Sequence, residues 1–64
     1  MSAPYLLRWY DHTAYHVVDR GSGDQVGYVV AWARGWQGYK DQGREVGPLR
    51  RYRKDAAEDV WSAS

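Results

Sequence analysis

"QVGYVVAWAR" (residues 25–34) decides the architecture of this chain. Val26, Tyr28, Val30 and Trp32 occupy one set of alternating positions, and Gly27, Val29, Ala31 and Ala33 the other. A period of two marks a strand, because successive side chains of an extended backbone leave on opposite faces. Toward the N-terminus, "RGSGD" (20–24) is turn chemistry: its glycines tolerate positive φ and its Asp can bond its own backbone. "GSGD" lacks the GK[ST] ending of a phosphate loop, so it reads as a hairpin turn. "AYHVVD" (14–19) is β-branched and aromatic, and reads as a second strand. "YLLRWY" (5–10) is either a short strand or a packed lead-in, and residues 1–4 are expected to be a loose end.

Toward the C-terminus, Gly35 breaks the strand and "WQGYK" (36–40) resumes it. "DQGR" (41–44) is a second hairpin turn, with Gly43 suited to the left-handed position. "EVGPL" (45–49) is the last extended piece, short or at an edge because Pro48 has no N–H to donate. A helix follows from about Arg53 to Ala63, with Ala56, Ala57, Val60 and Trp61 on one face. The expected fold is α+β: a three- or four-stranded antiparallel meander over residues 5–49 with one C-terminal α-helix (53–63) packed on one face, in a single small domain spanning 1–64. Ala56 and Ala57 are small, so the large set Val26, Tyr28, Val30 and Trp32 is expected inward, against Val60 and Trp61. Gly27, Val29, Ala31 and Ala33 would then form a flat apolar outer face, covered by residues 5–10 or used for contact.

A chain of 64 residues buries only about 60% of its unfolded surface. It has no cysteine, which excludes disulfides and thiolate metal sites. Four Trp and six Tyr must supply the packing instead, and a dimer or a bound partner would reinforce it. With 44% apolar or aromatic residues and a net charge of +1, the composition is a folding one. No apolar run approaches the roughly 20 residues needed to cross a bilayer. "MSAPYLLRWYD" lacks a basic start and a long apolar stretch, so a complete, cytoplasmic chain without a membrane partner is expected.

Nothing in the sequence argues for an enzyme or a cofactor. The serines (Ser2, Ser22, Ser62, Ser64) sit in termini or a turn with no adjacent base. Asp55, Glu58 and Asp59 fall on a helix surface and read as solubilising. His12 and His16 share a strand face but lie about 13 Å apart, too far for one metal ion.

Charge is the informative feature. Within residues 44–54 the bases Arg44, Arg50, Arg51, Arg53 and Lys54 face one acid, Glu45. The last four crowd the start of the helix, whose backbone dipole and unpaired N–H groups already favour anions. A phosphate there would bring backbone donors and basic side chains onto one anion. The plainer alternative pairs Arg51 with Asp55 and Lys54 with Glu58 at i, i+4 and leaves the other bases solvated. Arg34, Lys40 and Arg44 extend the basic set. Trp36, Tyr39 and Tyr52 interleave it and could stack on bases, or serve as filler in a small core.

"VGYVVAW", "GWQGYK" and "VGPLRRYRKDAAEDVW" together resemble the sheet-then-helix DNA-binding domains of the plant ethylene-response type. The resemblance covers about residues 25–61 and hinges on Val46-Gly47 and on Asp55-Ala56-Ala57. It is shared with the arm-binding domains of tyrosine recombinases. In style the chain also resembles small proteins of actinobacterial bacteriophages, and its helix start is similar to the last helix of double-stranded RNA-binding domains. The resemblance implies a viral-type, DNA-binding protein, DNA rather than RNA, reading the groove with the outer face of the sheet. The expected nucleic-acid-binding residues are therefore Arg50, Arg51, Arg53, Lys54, Arg44, Lys40, Arg34, Trp36 and Tyr39. The competing expectation is a protein-interaction module, docking a host protein or a second copy of itself through an apolar, aromatic sheet face or an edge strand.

Overall fold

The computed structural model describes residues 3–64. Five strands, β1 (Tyr5–Asp11), β2 (Ala14–Asp19), β3 (Gln25–Trp32), β4 (Gly35–Lys40) and β5 (Glu45–Arg50), precede one helix, α1 (Arg53–Ser62). The sheet is antiparallel throughout, in the order β1-β2-β3-β4-β5. The α+β meander with a C-terminal helix stands, but with five strands in place of three or four. The segment at residues 5–10 is a full strand at one edge; it pairs with β2 and does not fold over the outer face. The other edge is β5, which accommodates Pro48. Residues 1 and 2 of the expected loose end lie outside the described residues. Ala3 and Pro4 are tied down, their carbonyls accepting from Arg20 Nε at 2.8 Å and Arg20 N at 2.9 Å. Gly23 and Gly43 take positive φ (78° and 82°) in the two hairpin turns.

The orientation of β3 is the reverse of the sequence-based expectation. Val29 is fully buried and Gly27 is buried with it, whereas Trp32 is 55% exposed and Tyr28 and Val30 are half-buried on the other face. Alternation defines two faces without saying which is inside. What decides it is close approach: Gly27 pairs with Lys40 and Val29 with Gly38, so two glycines lie on one face. A Cβ on Gly38 would lie 2.6 Å from Val60 Cγ2, and one on Gly27 2.5 Å from Val60 Cγ1. Val60 fills the space the two glycines leave, and Ala56 and Ala57 settle beside it. Small packs on small, and the helix lies closer to the sheet than a Tyr or Trp face would permit. Val26 is the exception that still packs against the core. The register slips between Val17↔Gly27 and Val18↔Gln25, which leaves Val26 unpaired as a bulge and turns it with Gly27.

The core joins Tyr5, Val17 and Val29 of the sheet to Ala56, Ala57 and Val60 of the helix, with Leu7, Tyr15, Trp36 and Trp61 packed around them. Tyr5 Oη donates to Glu58 Oε2 at 3.0 Å and lies 3.3 Å from the Lys54 carbonyl. Burial first, then the hydrogen bond to the Glu58 carboxylate, pushes the Tyr5 phenol from 10.0 up to about 12. A phenol that ionises later in the folded chain than in the unfolded one stabilises the fold fully below pH 10.0, and that contribution disappears as pH rises to about 12. Wild-type stability should therefore fall more steeply than that of Tyr5→Phe across this window in urea titrations. Parallel curves for the two proteins would contradict the assignment.

The β4–β5 ladder carries a second irregularity. Trp36 pairs with Arg50 but Gly38 with Val46, so β5 has two residues more than the register needs. Gln37 fills the gap. Its Nε2 donates to the carbonyls of Gly38, Val46 and Gly47 at 3.1, 3.2 and 3.0 Å, satisfying β5 groups that have lost ladder partners. Gly47, at φ 71°, makes the turn inside the strand, and its missing Cβ leaves room for Asp59 of the helix.

Candidate nucleic-acid interface

A meander sends alternate turns to opposite ends of the sheet. The β3–β4 turn with Arg34, the end of β5 with Arg50 and Arg51, and the start of α1 with Arg53 and Lys54 all fall at one end. The β2–β3 and β4–β5 turns fall at the other, with Lys40, Arg44 and the helix C-terminus. The nine expected site residues are thus divided between the two ends and the sheet between them.

At the basic end the four helix-start bases have different surroundings. Arg50 is taken up by its own chain: Nε and Nη2 donate to the two carboxylate oxygens of Asp59 at 2.7 and 3.0 Å. That bidentate ion pair holds the Arg50 guanidinium above its usual range. It is the one ion pair among the described residues, so the i, i+4 pairs Arg51–Asp55 and Lys54–Glu58 are not formed. The Arg53 Cζ lies 4.2 Å from the Tyr15 ring centroid and 5.8 Å from that of Trp36, and the Arg51 Cζ lies 5.6 Å from that of Tyr52. A guanidinium attracted to a ring can still offer N–H donors to another partner. Arg51, Tyr52, Arg53 and Lys54 border a groove of about 400 Å³ with Trp36 and Leu7. The helix opens without a side-chain cap at Tyr52. Besides Asp59, the acids at this end include Asp55 in the first helical turn and Asp11 at the end of β1. Asp11 is held below the usual carboxylate range, first by the Thr13 backbone N–H at 2.8 Å.

The bases at the far end have separate work. Lys40 Nζ donates to the Ala63 carbonyl at 2.6 Å, placing a positive charge at the helix C-terminus, where the last turn has no base of its own. Arg44 is exposed beside the Lys40–Asp41 turn. Of the expected stacking rings, Trp36 packs against Tyr15 (6.0 Å) and under Arg53, and Tyr39 stacks on Tyr28 at 5.1 Å and 18°. Both rings have partners within the chain.

The reversal of β3 changes what the outer face offers. In place of glycine and alanine it carries one continuous row, Arg8–His16–Tyr28–Tyr39–Glu45, in register across all five strands. Tyr10 packs against His16 at 5.0 Å, and Trp32 and Gln37 lie toward the basic end. His12 is away from this face, edge-on to Trp9 at 6.2 Å. Arg8, Tyr10, His16, Trp32 and Gln37 lie outside the site expected from the sequence, which turns the large side of β3 inward. The signal that could have found them is the pair Gly27 and Gly38, two positions where only a closely docked element explains the missing side chain.

Among the described residues no helix is long and apolar enough to cross a membrane. Comparison with known proteins gives no matching family model, no matching curated protein and no matching solved structure.

Proposed function

We propose that this protein binds nucleic acid, with Arg34, Arg51, Arg53 and Lys54 on phosphates and the uncovered sheet face toward the bases. The observation that carries the reading is that Arg51, Arg53 and Lys54 border one groove at the uncapped helix start, with Arg34 in the β3–β4 turn at the same end of the sheet. Two of them, Arg51 and Arg53, lie over rings and make no ion pair among the described residues. DNA is the polymer implied by the resemblance in residues 25–61. Arg50, Lys40 and Arg44 fall outside the proposed contact: the first is neutralised by Asp59, and the others sit at the far end. Labelled oligonucleotides should bind at low salt, with log affinity falling linearly against log salt at a slope of roughly −0.7 to −0.9 per phosphate contact. A flat salt dependence, or no binding at low salt, would refute the reading.

A second reading is favoured by one observation. Leu6, Tyr10, Trp32 and Leu49 are exposed large side chains, and among the described residues no element covers the sheet face beside them. Such a surface also suits a host protein or a second copy of the chain. Binding that survives nuclease treatment and high salt would select it.

A further inference from the structure

On the uncovered face, between the β3–β4 turn and the distorted β5 edge, lies an open cavity of about 390 Å³. That is within the range of about 300–1,000 Å³ of small-ligand sites. Trp32, Arg34, Gln37, Tyr39, Glu45 and Leu49 line it. Gln37 is 7% exposed, and its Nε2 is clamped among three backbone carbonyls. Three acceptors around one atom fix that end of the amide as nitrogen. The carbonyl oxygen Oε1 accepts no hydrogen bond among the described residues. Gln37 can therefore offer the cavity an acceptor and not a donor. The Glu45 carboxylate is likewise acceptor-only. Trp32, 55% exposed, supplies a ring, Leu49 apolar surface, and Arg34 the positive charge.

The geometry points to a pocket for one unpaired nucleobase, guanine before the others. The inference rests on the nucleic-acid reading and narrows it to a single strand. Two acceptors require a ligand edge with adjacent donors. Guanine presents N1–H and N2–H₂ side by side. Thymine and uracil place N3–H between two carbonyls, which would face acceptors. Cytosine and adenine each present one amino group beside a ring nitrogen acceptor. In a duplex the guanine donor edge is already paired, so only an unpaired base can reach the pocket. Trp32 would stack on it, while Arg34, in the adjoining turn, would meet the neighbouring phosphate.

The test compares oligo-dT strands carrying a single central dG, dA, dC or dT, together with the duplex of the dG strand, by fluorescence anisotropy at low salt. The dG strand should bind tightest, about tenfold above all-dT, and its duplex should lose that advantage. Trp32→Ala should weaken the dG strand by roughly 5- to 100-fold. Glu45→Ala should remove the preference for dG while all-dT still binds. Both residues are exposed, so unchanged circular dichroism is the expected control. Equal affinity for all four strands, or a dG preference that survives both substitutions, overturns the pocket and leaves the nucleic-acid reading standing. If no strand binds at low salt, both fall.

Discussion

Gly38→Val should unfold this protein or come close to it. A Cβ at Gly38 would lie 2.6 Å from Val60 Cγ2, 3.0 Å from the Ala56 carbonyl oxygen and 3.3 Å from that of Val46. The side-chain contact could be relieved by a rotamer change. The two carbonyls belong to α1 and β5, which hold the added atoms from both sides. Valine adds two further methyl groups to that gap, so the helix must lift. Overpacking a close-packed site costs about 1–3 kcal/mol and sometimes more. Lifting α1 also exposes Ala56, Ala57 and Val60, each fully buried in the native chain. A domain of this size has only about 3–10 kcal/mol in hand. A loss of about 3 kcal/mol or more is expected, read as the urea midpoint by circular dichroism and tryptophan fluorescence. Gly23→Ala is the matched control. Nothing lies within 4 Å of its Cβ, and only the strain of φ 78° opposes it. That substitution should cost about 1–2 kcal/mol. A Gly38→Val protein that loses only about 1 kcal/mol, the centre of the range for ordinary substitutions, would mean that the helix does not seat on this glycine.

The second large effect concerns binding. Replacing Arg34, Arg51, Arg53 and Lys54 together by Gln should weaken oligonucleotide affinity at low salt by roughly 30- to 1,000-fold, on about 0.5–1 kcal/mol per exposed ionic contact. The salt slope should shrink with it. Arg53 is expected to contribute most, because Tyr15 and Trp36 hold its guanidinium in place and less rotamer freedom is lost on binding. The double variant Lys40→Gln/Arg44→Gln removes half as much charge from the opposite end and should change affinity by no more than about threefold, the effect of long-range charge alone. Its signature should be a modest loss of stability, because Lys40 no longer meets the Ala63 carbonyl. Equal losses from the two variants would show that net charge, and not the basic end, governs binding.

Much of the fold was legible from local chemistry. The turns at 20–24 and 41–44, the strands flanking them, and the helix start at Arg53 each follow from glycine placement, β-branching and the spacing of Ala56, Ala57 and Val60. Two features were not legible, and both are tertiary. The first is the role of residues 5–10, because an edge strand needs a neighbour and β2 supplies it from elsewhere in the chain. The second is the handedness of β3 toward the core, which depends on Gly38 arriving opposite Val29 from another strand. The site inherited that error. With β3 reversed, its outer face gains Tyr28, Val30 and Trp32 in place of small residues, in register with Arg8 and His16 of the neighbouring strands. At the helix start, sequence spacing brought four bases together. It could not reveal that Asp59, a full strand-to-helix connection away, would claim Arg50.

The most direct measurement is an amide chemical-shift map of the isotope-labelled protein titrated with a single-stranded oligonucleotide at low salt. Binding should move the signals of Trp32 to Gln37 and of Arg51 to Lys54, with the Arg8–His16–Tyr28–Tyr39 row following. Shifts confined to residues 20–24 and 41–44, at the far end of the sheet, or a spectrum that does not change, would contradict a basic end built to meet a nucleic acid.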